Sequence, residues 1–280
     1  MRLWRGVTLQ LFLVAVLPLT VLVLVVAFGS LSLHHEAMRS LVADRNLRAV
    51  ESAADSVGKE INHRGQTLEI LAGLIENAQQ ARSELAKTSQ NLKIFDGGLM
   101  VVDSKGVPLA SLDANGVGQW LSSSEWQQYS EAIQTSPVGK AVYLPVQILN
   151  GLSYVPVAVP NTDGLTLIGL FSPEQLLSES LSIISDQEPV TIIVVDPAYR
   201  ILYRRGNLNP EEDLSTHPGF KSALNGVSGV DYLQTVEGEH VITSSSIQPV
   251  GWALMIEESW EDIASPLLQT TQNAPLIIIP

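Results

Sequence analysis

Residues Leu11 to Leu33 form a run of 23 without one charged side chain, rich in leucine and valine. As a helix rising 1.5 Å per residue, such a run spans about 35 Å, enough to cross the hydrocarbon core of a bilayer. Pro18 lies inside it, but spanning helices tolerate proline where local adjustments satisfy the freed carbonyl. A cleaved secretory signal has an apolar core of about 7–15 residues followed by a small-x-small cleavage site, and this run is too long for one. Arg2 and Arg5 precede it in the short tail 1–10, so the positive-inside rule places that tail in the cytoplasm and everything after His34 outside. Arg39, Arg45 and Arg48 weaken the asymmetry, yet a long polar region translocates largely regardless of charge. The expected location is the cell membrane, with residues 34–270 extracytoplasmic.

The sequence closes on a second apolar stretch, 274–280, which reads as the start of a further span; exposed Leu-Ile-Ile-Ile would otherwise invite aggregation. Between the two stretches the charge is uneven. Residues 1–92 hold 9 Lys/Arg against 8 Asp/Glu, and residues 93–280 hold 7 against 21. A surface this acidic repels phosphate backbones and anionic head groups, which argues against nucleic-acid binding. There is no cysteine, so disulfides, thiolate metal sites and cysteine nucleophiles are excluded. The five histidines, at 34, 35, 63, 217 and 240, show no metal-binding spacing. No metal or cofactor is expected.

From His34 to Asn91 there is no proline, and Leu47, Val50, Ala54, Val57, Ile61, Leu68, Leu71, Ile75 and Ala78 recur in alternating three- and four-residue steps. The pattern predicts one long signalling helix over 34–92 with a narrow apolar stripe, interrupted at Arg64. Gly58, Gly65 and Gly73 each lower intrinsic helicity by up to about 1 kcal/mol relative to alanine, so packing must sustain the helix. That packing is expected from the chain's own folded part and, near the membrane, from a second protomer in a homodimer.

Beyond residue 93 the period becomes that of strands. Gly98–Asp103 and Gly106–Ser111 read as a hairpin turning at Asp103-Ser-Lys-Gly106. Val190–Asp196, Pro-Ala-Tyr and Arg200–Arg204 repeat the plan, with the Val-Val-Asp core recurring 93 positions on. Both aspartates read as turn-formers that accept backbone amides. Each half then offers a helix and three more strands. In the first, Ser122-x-x-Glu125 opens a helix through Ile133, with strands near 140–147, 153–160 and 164–171. In the second, a helix near 216–224 ends at Asn225-Gly226, with strands near 229–234, 239–247 and 251–257. The halves close alike: Ser172-Pro-Glu-Gln175 caps one helix and Ser259-Trp-Glu-Asp262 opens another 87 residues later.

Five antiparallel strands with helices on the sheet, occurring twice after a long helix, resemble the double Cache sensor family over nearly all of residues 34–270. The most specific stretch lies in the second half: Asp213-Leu-Ser-Thr-His-Pro-Gly-Phe-Lys-Ser-Ala-Leu-Asn-Gly226, Gly238-Glu-His-Val-Ile242, Pro249-Val-Gly-Trp-Ala-Leu254 and Trp260-Glu-Asp-Ile-Ala264. The fold class so implied is α+β: an N-terminal transmembrane helix, a long helix, a membrane-distal PAS-like module at 93–186 and a membrane-proximal one at 187–270. The resemblance also implies a bacterial small-molecule sensor that drives a histidine kinase, a chemoreceptor or a nucleotide cyclase, with ligand usually held in the distal module.

A pocket for such a ligand needs apolar walls and a few orienting polar groups. Trp126 and Tyr129 stand three apart on the first module's helix, and Tyr143, Gln147 and Tyr154 lie on strands whose alternation could point them at it. These five are the candidate ligand-binding residues. Amino-acid sensors of the resembled family carry an arginine before the helix aromatics and aspartates on the following strands. Here the matching positions read Ser124-Glu125-Trp126, with Gln147 and Ser172 on the strand side, so the charged clamp is missing and an α-amino acid is not the expected ligand. There is no G-x-S-x-G, P-loop, dinucleotide fingerprint or zinc motif, and no catalytic residue is assigned. Sensory input, most readily to a histidine kinase, is the expected role; an anchored protein-interaction module without a small ligand is the alternative.

Overall fold

The computed structural model describes residues 6, 12–87, 93–112, 121, 123–182, 190–206, 213–236 and 238–263. It divides into two units, residues 1–46 and 47–280. In the first unit a π-helical turn, Phe12–Val16, leads into helix α1, Leu17–Gly73, which continues into the second. Among residues 12–26 the described leucines and valines are exposed, Val14 to 77 % and Val25 and Val26 to 63 % each. The side chains of 27–35, part of the expected membrane run, lie outside the described residues. Among the described residues no helix is long and apolar enough to cross a membrane. The expected start of a second span at 274–280 also lies outside them.

The second unit contains both expected modules. The first sheet is built from β1 (Gly98–Val102), β2 (Pro108–Leu112), β3 (Val142–Tyr143), β5 (Leu152–Pro160) and β6 (Thr166–Phe171) in the order β2-β1-β6-β5-β3, with β4 (Gln147–Leu149) paired to β5. The second comprises β7 (Val190–Val195), β8 (Ile201–Arg205), β9 (Gly229–Thr235), β10 (Gly238–Ile247) and β11 (Trp252–Ser259) in the order β8-β7-β11-β10-β9. Setting β4 aside, the two orders are one topology used twice, and all pairings are antiparallel.

The repetition extends to details. In each sheet the opening hairpin slips register at its second valine, between Val101 and Val102 and between Val194 and Val195. The turns that follow are held as expected. Asp103 Oδ1 accepts the amides of Lys105 and Val107, each at 2.8 Å, and Asp196 Oδ1 accepts those of Ala198 and Arg200, each at 2.9 Å. The last turn residue is left-handed in both, Gly106 at φ 80° and Tyr199 at φ 58°. At Gly106 a side chain is also excluded by space, because a Cβ would run into the Trp126 indole.

Alternation along the central strands sorts their side chains between two faces. Leu99, Val101, Val155, Val157, Leu167 and Phe171 of the first sheet, and Ile192, Val194, Trp252, Leu254 and Ile256 of the second, join one core with Val50, Ala54, Val57, Ile61, Leu68 and Leu71 of α1. One helix therefore serves as the floor of both modules. Fully burying an Ile or Leu such as Ile61 or Leu68, both 0 % exposed, contributes roughly 1.5–3 kcal/mol. The opposite faces carry separate cores: Met100, Val102, Ala158, Ile168 and Leu170 meet helix α3 (Ser123–Thr135), and Ile193, Val195, Ile242 and Met255 meet α5 (Phe220–Leu224).

Two helix glycines make this docking possible. A Cβ at Gly58 would fall on the backbone carbonyl of Gln248, and one at Gly65 on the Tyr143 hydroxyl. Arg64, the break in the stripe, is buried; it pairs with Glu60 at 2.5 Å and lies 5.3 Å from the Phe171 ring centre. The expected single helix over 34–92 is interrupted. It ends at Gly73, and α2 restarts at Ala78–Lys87 because Asn77 Oδ1 accepts the amides of Gln79 and Gln80, at 3.1 and 3.0 Å, in place of a preceding helical turn. Asn161 reaches into the break and donates to the Ile75 carbonyl at 2.9 Å.

Helix α4 (Pro173–Ser180) starts as expected, with Ser172 Oγ accepting the Gln175 amide and proline at its first position. The helix expected over 216–224 is shorter, since Asp213 to Pro218 form turns and the glycine at 219 has φ 87°. Asp213 accepts both the amide and the hydroxyl of Ser215, which hold its carboxyl below the usual carboxylate range. The cap residue Ser122 lies outside the described residues.

Candidate functional site

The outer face of the first sheet, beneath α3, gathers four of the five candidate residues. Trp126 and Tyr129 face inward from α3 with exposures of 6 % and 2 %, and Tyr154 on β5 is 2 % exposed within the same core. Gln147 stands directly across from Tyr154 in the β4–β5 register. Its amide nitrogen donates to the Tyr129 hydroxyl and to the Pro145 carbonyl, the latter at 3.2 Å. The group thus presents an indole, two phenols and an amide between apolar walls made by Met100, Leu121, Leu144 and Leu170. Trp126 has a packing role besides, since its indole fills the space above Gly106.

Tyr143 does not join them. It lies on the opposite face and donates from its hydroxyl to the Ile61 carbonyl of α1 at 3.1 Å. Burial, then the negative charge of Glu69, pushes its pKa up to about 12. Strict alternation would put Tyr143 and Gln147, four apart, on one face. The expected strand over 140–147 is instead broken between β3 and β4: Leu144 packs under α3 while Val146, only two residues on, packs on the α1 side. Pro145 sits at the break, lacking the N–H a continuous ladder needs. Tyr143 is thus removed from the α3 face by an irregularity that sequence periodicity does not register.

Glu69 anchors the same corner. Its carboxylate accepts the Ala141 amide at 3.0 Å and pairs with Lys140 at 3.2 Å. In the second module the corresponding outer face carries a different polar set. Glu257 on β11 accepts from or pairs with His240 at 2.7 Å, with buried His217 at 3.8 Å from its other oxygen. These residues were not singled out by the sequence, because His217 and His240 come from separate elements and share no motif spacing. Among the described residues no cluster suited to a metal ion is present. Trp252 is a core residue at 2 % exposure, and the Trp260 ring meets Tyr232 edge-on at 6.2 Å.

No protein-family model matches the chain, and no curated protein sequence matches it. Solved structures do. The ligand-binding domain of the Pseudomonas fluorescens chemoreceptor CtaA in complex with L-isoleucine superposes with a TM-score of 0.58 at 15 % identity, covering 83 % of this chain and 98 % of that one. The extracellular domain of soHK1S-Z6, described as a histidine kinase, gives 0.51 at 16 % identity over 85 % and 99 % of the two chains. The ligand-binding domain of the Pseudomonas aeruginosa PAO1 chemoreceptor PctB with L-arginine gives 0.55 at 13 % over 79 % and 97 %. At these identities the likeness establishes the fold. The chain has the fold of the ligand-binding sensor domains of chemoreceptors and histidine kinases, in agreement with the double Cache resemblance in its sequence.

Proposed function

We propose that this chain is the extracytoplasmic sensory region of a bacterial transmembrane signalling protein, and that a small molecule is read on the outer face of its first module. The observation that carries the reading is the polar pair Gln147–Tyr129, set among Trp126, Tyr154 and apolar walls in a sheet that rests on the same helix as its twin. Ligand bound there bears on α3 and the sheet, and the sheet bears on α1. Binding shifts the helix only if the ligand favours one arrangement over another.

Several structural neighbours hold amino acids, among them L-isoleucine and L-arginine. The face described here offers a phenol–amide pair in place of a charged clamp, which favours a ligand with neutral hydrogen-bonding groups over an α-amino acid. Both histidine kinases and chemoreceptors occur among the neighbours, and the input device serves either output; a histidine kinase is the reading we carry forward. The membrane anchor at 11–33 belongs to the same proposal, supported by its uncharged length and the exposure of the described leucines and valines at 12–26. So does pairing of two copies through the membrane-proximal helix, since from Val50 to Ile75 the stripe is taken up by the chain's own sheets.

A thermal-shift screen of the chain against a metabolite library tests the reading. A ligand at a hundred times its Kd stabilises by about 2.7 kcal/mol, or roughly 5–10 °C for a domain of this size. Tyr129→Phe should reduce the response to that ligand about tenfold in affinity. A library in which no compound raises the melting temperature, or a hit indifferent to both Tyr129→Phe and Gln147→Ala, overturns it.

A further inference from the structure

A cavity of about 410 Å³ opens where the two modules meet; Trp126 and Tyr129 do not line it, and Leu144, which packs in their cluster, borders it. Val146 and Val155 of the first module and Pro197, Val250 and Trp252 of the second form its apolar walls, and Arg200 stands at its edge. The volume lies within the range of roughly 300–1,000 Å³ typical of small-molecule sites. We infer that this junction cavity is a second ligand site, taking a compact apolar molecule that carries a carboxylate.

The polarity of the site follows from how Arg200 and Asp196 share their bonds. Asp196, also a lining residue, is only 3 % exposed at its side chain, and both its oxygens are engaged: Oδ1 takes two backbone amides, and Oδ2 takes Arg200 Nε and Nη2 at 2.7 and 2.6 Å. Arg200 Nη1 crosses the junction to the Val146 carbonyl at 2.9 Å. A guanidinium carries five N–H bonds. Three are engaged here, and the side chain is 40 % exposed. What the cavity meets is therefore a guanidinium with donors beyond those three bonds, beside the carboxylate of Asp196, which also lines the cavity but is already taken up by four donors. Such a group favours an anionic acceptor and disfavours an ammonium.

Two of the modules' close approaches to α1 border the cavity. Tyr143, which lines it, seats its hydroxyl at Gly65, and the Gln248 carbonyl, next to lining residue Pro249, seats at Gly58, one heptad away on α1. A molecule in the cavity would therefore touch one of these contacts, at Tyr143, and lie one residue from the other, at Pro249. The proposed reading has one ligand on the first module's outer face; this site would let a second compound alter how the modules are held to one another.

Naphthylacetate, with uncharged naphthylethanol as its isostere, is the probe, titrated calorimetrically into the full chain in detergent. Ala198→Trp fills the cavity from an exposed lining position without removing a buried contact. Expected are saturable binding of the acid, at least about tenfold weaker binding of the alcohol, and at least about tenfold weakening of the acid by Ala198→Trp. Arg200→Met should abolish discrimination between the two compounds, and Tyr129→Phe should leave the acid's affinity unchanged. Absence of saturable binding, or equal affinity in Ala198→Trp and the parent chain, overturns the inference. Loss of binding in Tyr129→Phe but not in Ala198→Trp would also overturn it, while supporting a site on the first module's outer face.

Discussion

Replacing Gly58 by alanine tests whether the second module grips α1 as described. In an unpacked helix interior the change should stabilise by about 1 kcal/mol, through a smaller loss of backbone entropy and better helix propensity. At Gly58, however, the new Cβ would lie closer than 3.0 Å to the Gln248 carbonyl oxygen, a backbone atom. The loop can yield little, because its neighbours Ile247 and Trp252 are 0 % and 2 % exposed in the shared core. Overpacking of this kind costs about 1–3 kcal/mol, so the expected net effect is a destabilisation of up to about 2 kcal/mol. Gly73→Ala provides the control, since open space surrounds a Cβ there; it should be neutral or stabilise by up to about 1 kcal/mol. Urea unfolding followed by tryptophan fluorescence reads the two as midpoint shifts of opposite sign at unchanged slope. If Gly58→Ala raises the midpoint as much as Gly73→Ala does, the helix does not receive the Gln248 loop and the shared-floor description fails.

The raised pKa of Tyr143 makes a pH prediction: the folded chain holds its phenolic proton between the ordinary value of 10.0 and about 12, where the unfolded chain has released it. Its stabilising contribution is therefore full below pH 10.0 and lost as pH rises towards about 12; denaturation midpoints should fall over that interval by less in Tyr143→Phe than in the parent chain. Asp196→Ala removes the acceptor of two amides and the partner of Arg200 and should destabilise by about 2–3 kcal/mol in urea unfolding, against about 1 kcal/mol for Asp103→Ala in its exposed twin turn. Asn77→Ala should cost about 1 kcal/mol through loss of the α2 cap, and amide exchange should accelerate at Gln79 and Gln80 while remaining unchanged at Ile61.

The doubled architecture was legible because it is written in local chemistry. Val-Val-Asp followed by a turn occurs twice, and each copy yields the same hairpin, the same register slip and the same amide-accepting aspartate. The Ser-Pro cap at Ser172 and the Asn225-Gly226 helix end were equally readable, since each depends on residues within one turn. What the sequence obscured depends on partners distant along the chain. The apolar stripe of α1 predicts burial but not its partner, and Gly58 and Gly65, which look like weaknesses in a helix, are the places where the modules approach it. The break at Gly73–Asn77 replaces a helix that no proline forbade; its signals are a lone glycine and a capping asparagine too common to decide the matter. Of the candidate residues, the helix pair Trp126–Tyr129 and the strand pair Gln147–Tyr154 lie together in the structure, whereas Tyr143 is carried to the other face by the interruption at Pro145. The junction cavity needed both modules in place before Val146 and Arg200 could be seen to meet.

A sensory role requires the twin sheets to face outward from the membrane. Because the chain has no cysteine, single replacements at Val138 and Val227, each 58 % exposed and one in each module, give unambiguous labelling sites. In intact cells a membrane-impermeant maleimide should modify both. Labelling of either position only after the cells are permeabilised would place the modules in the cytoplasm and contradict the sensory reading.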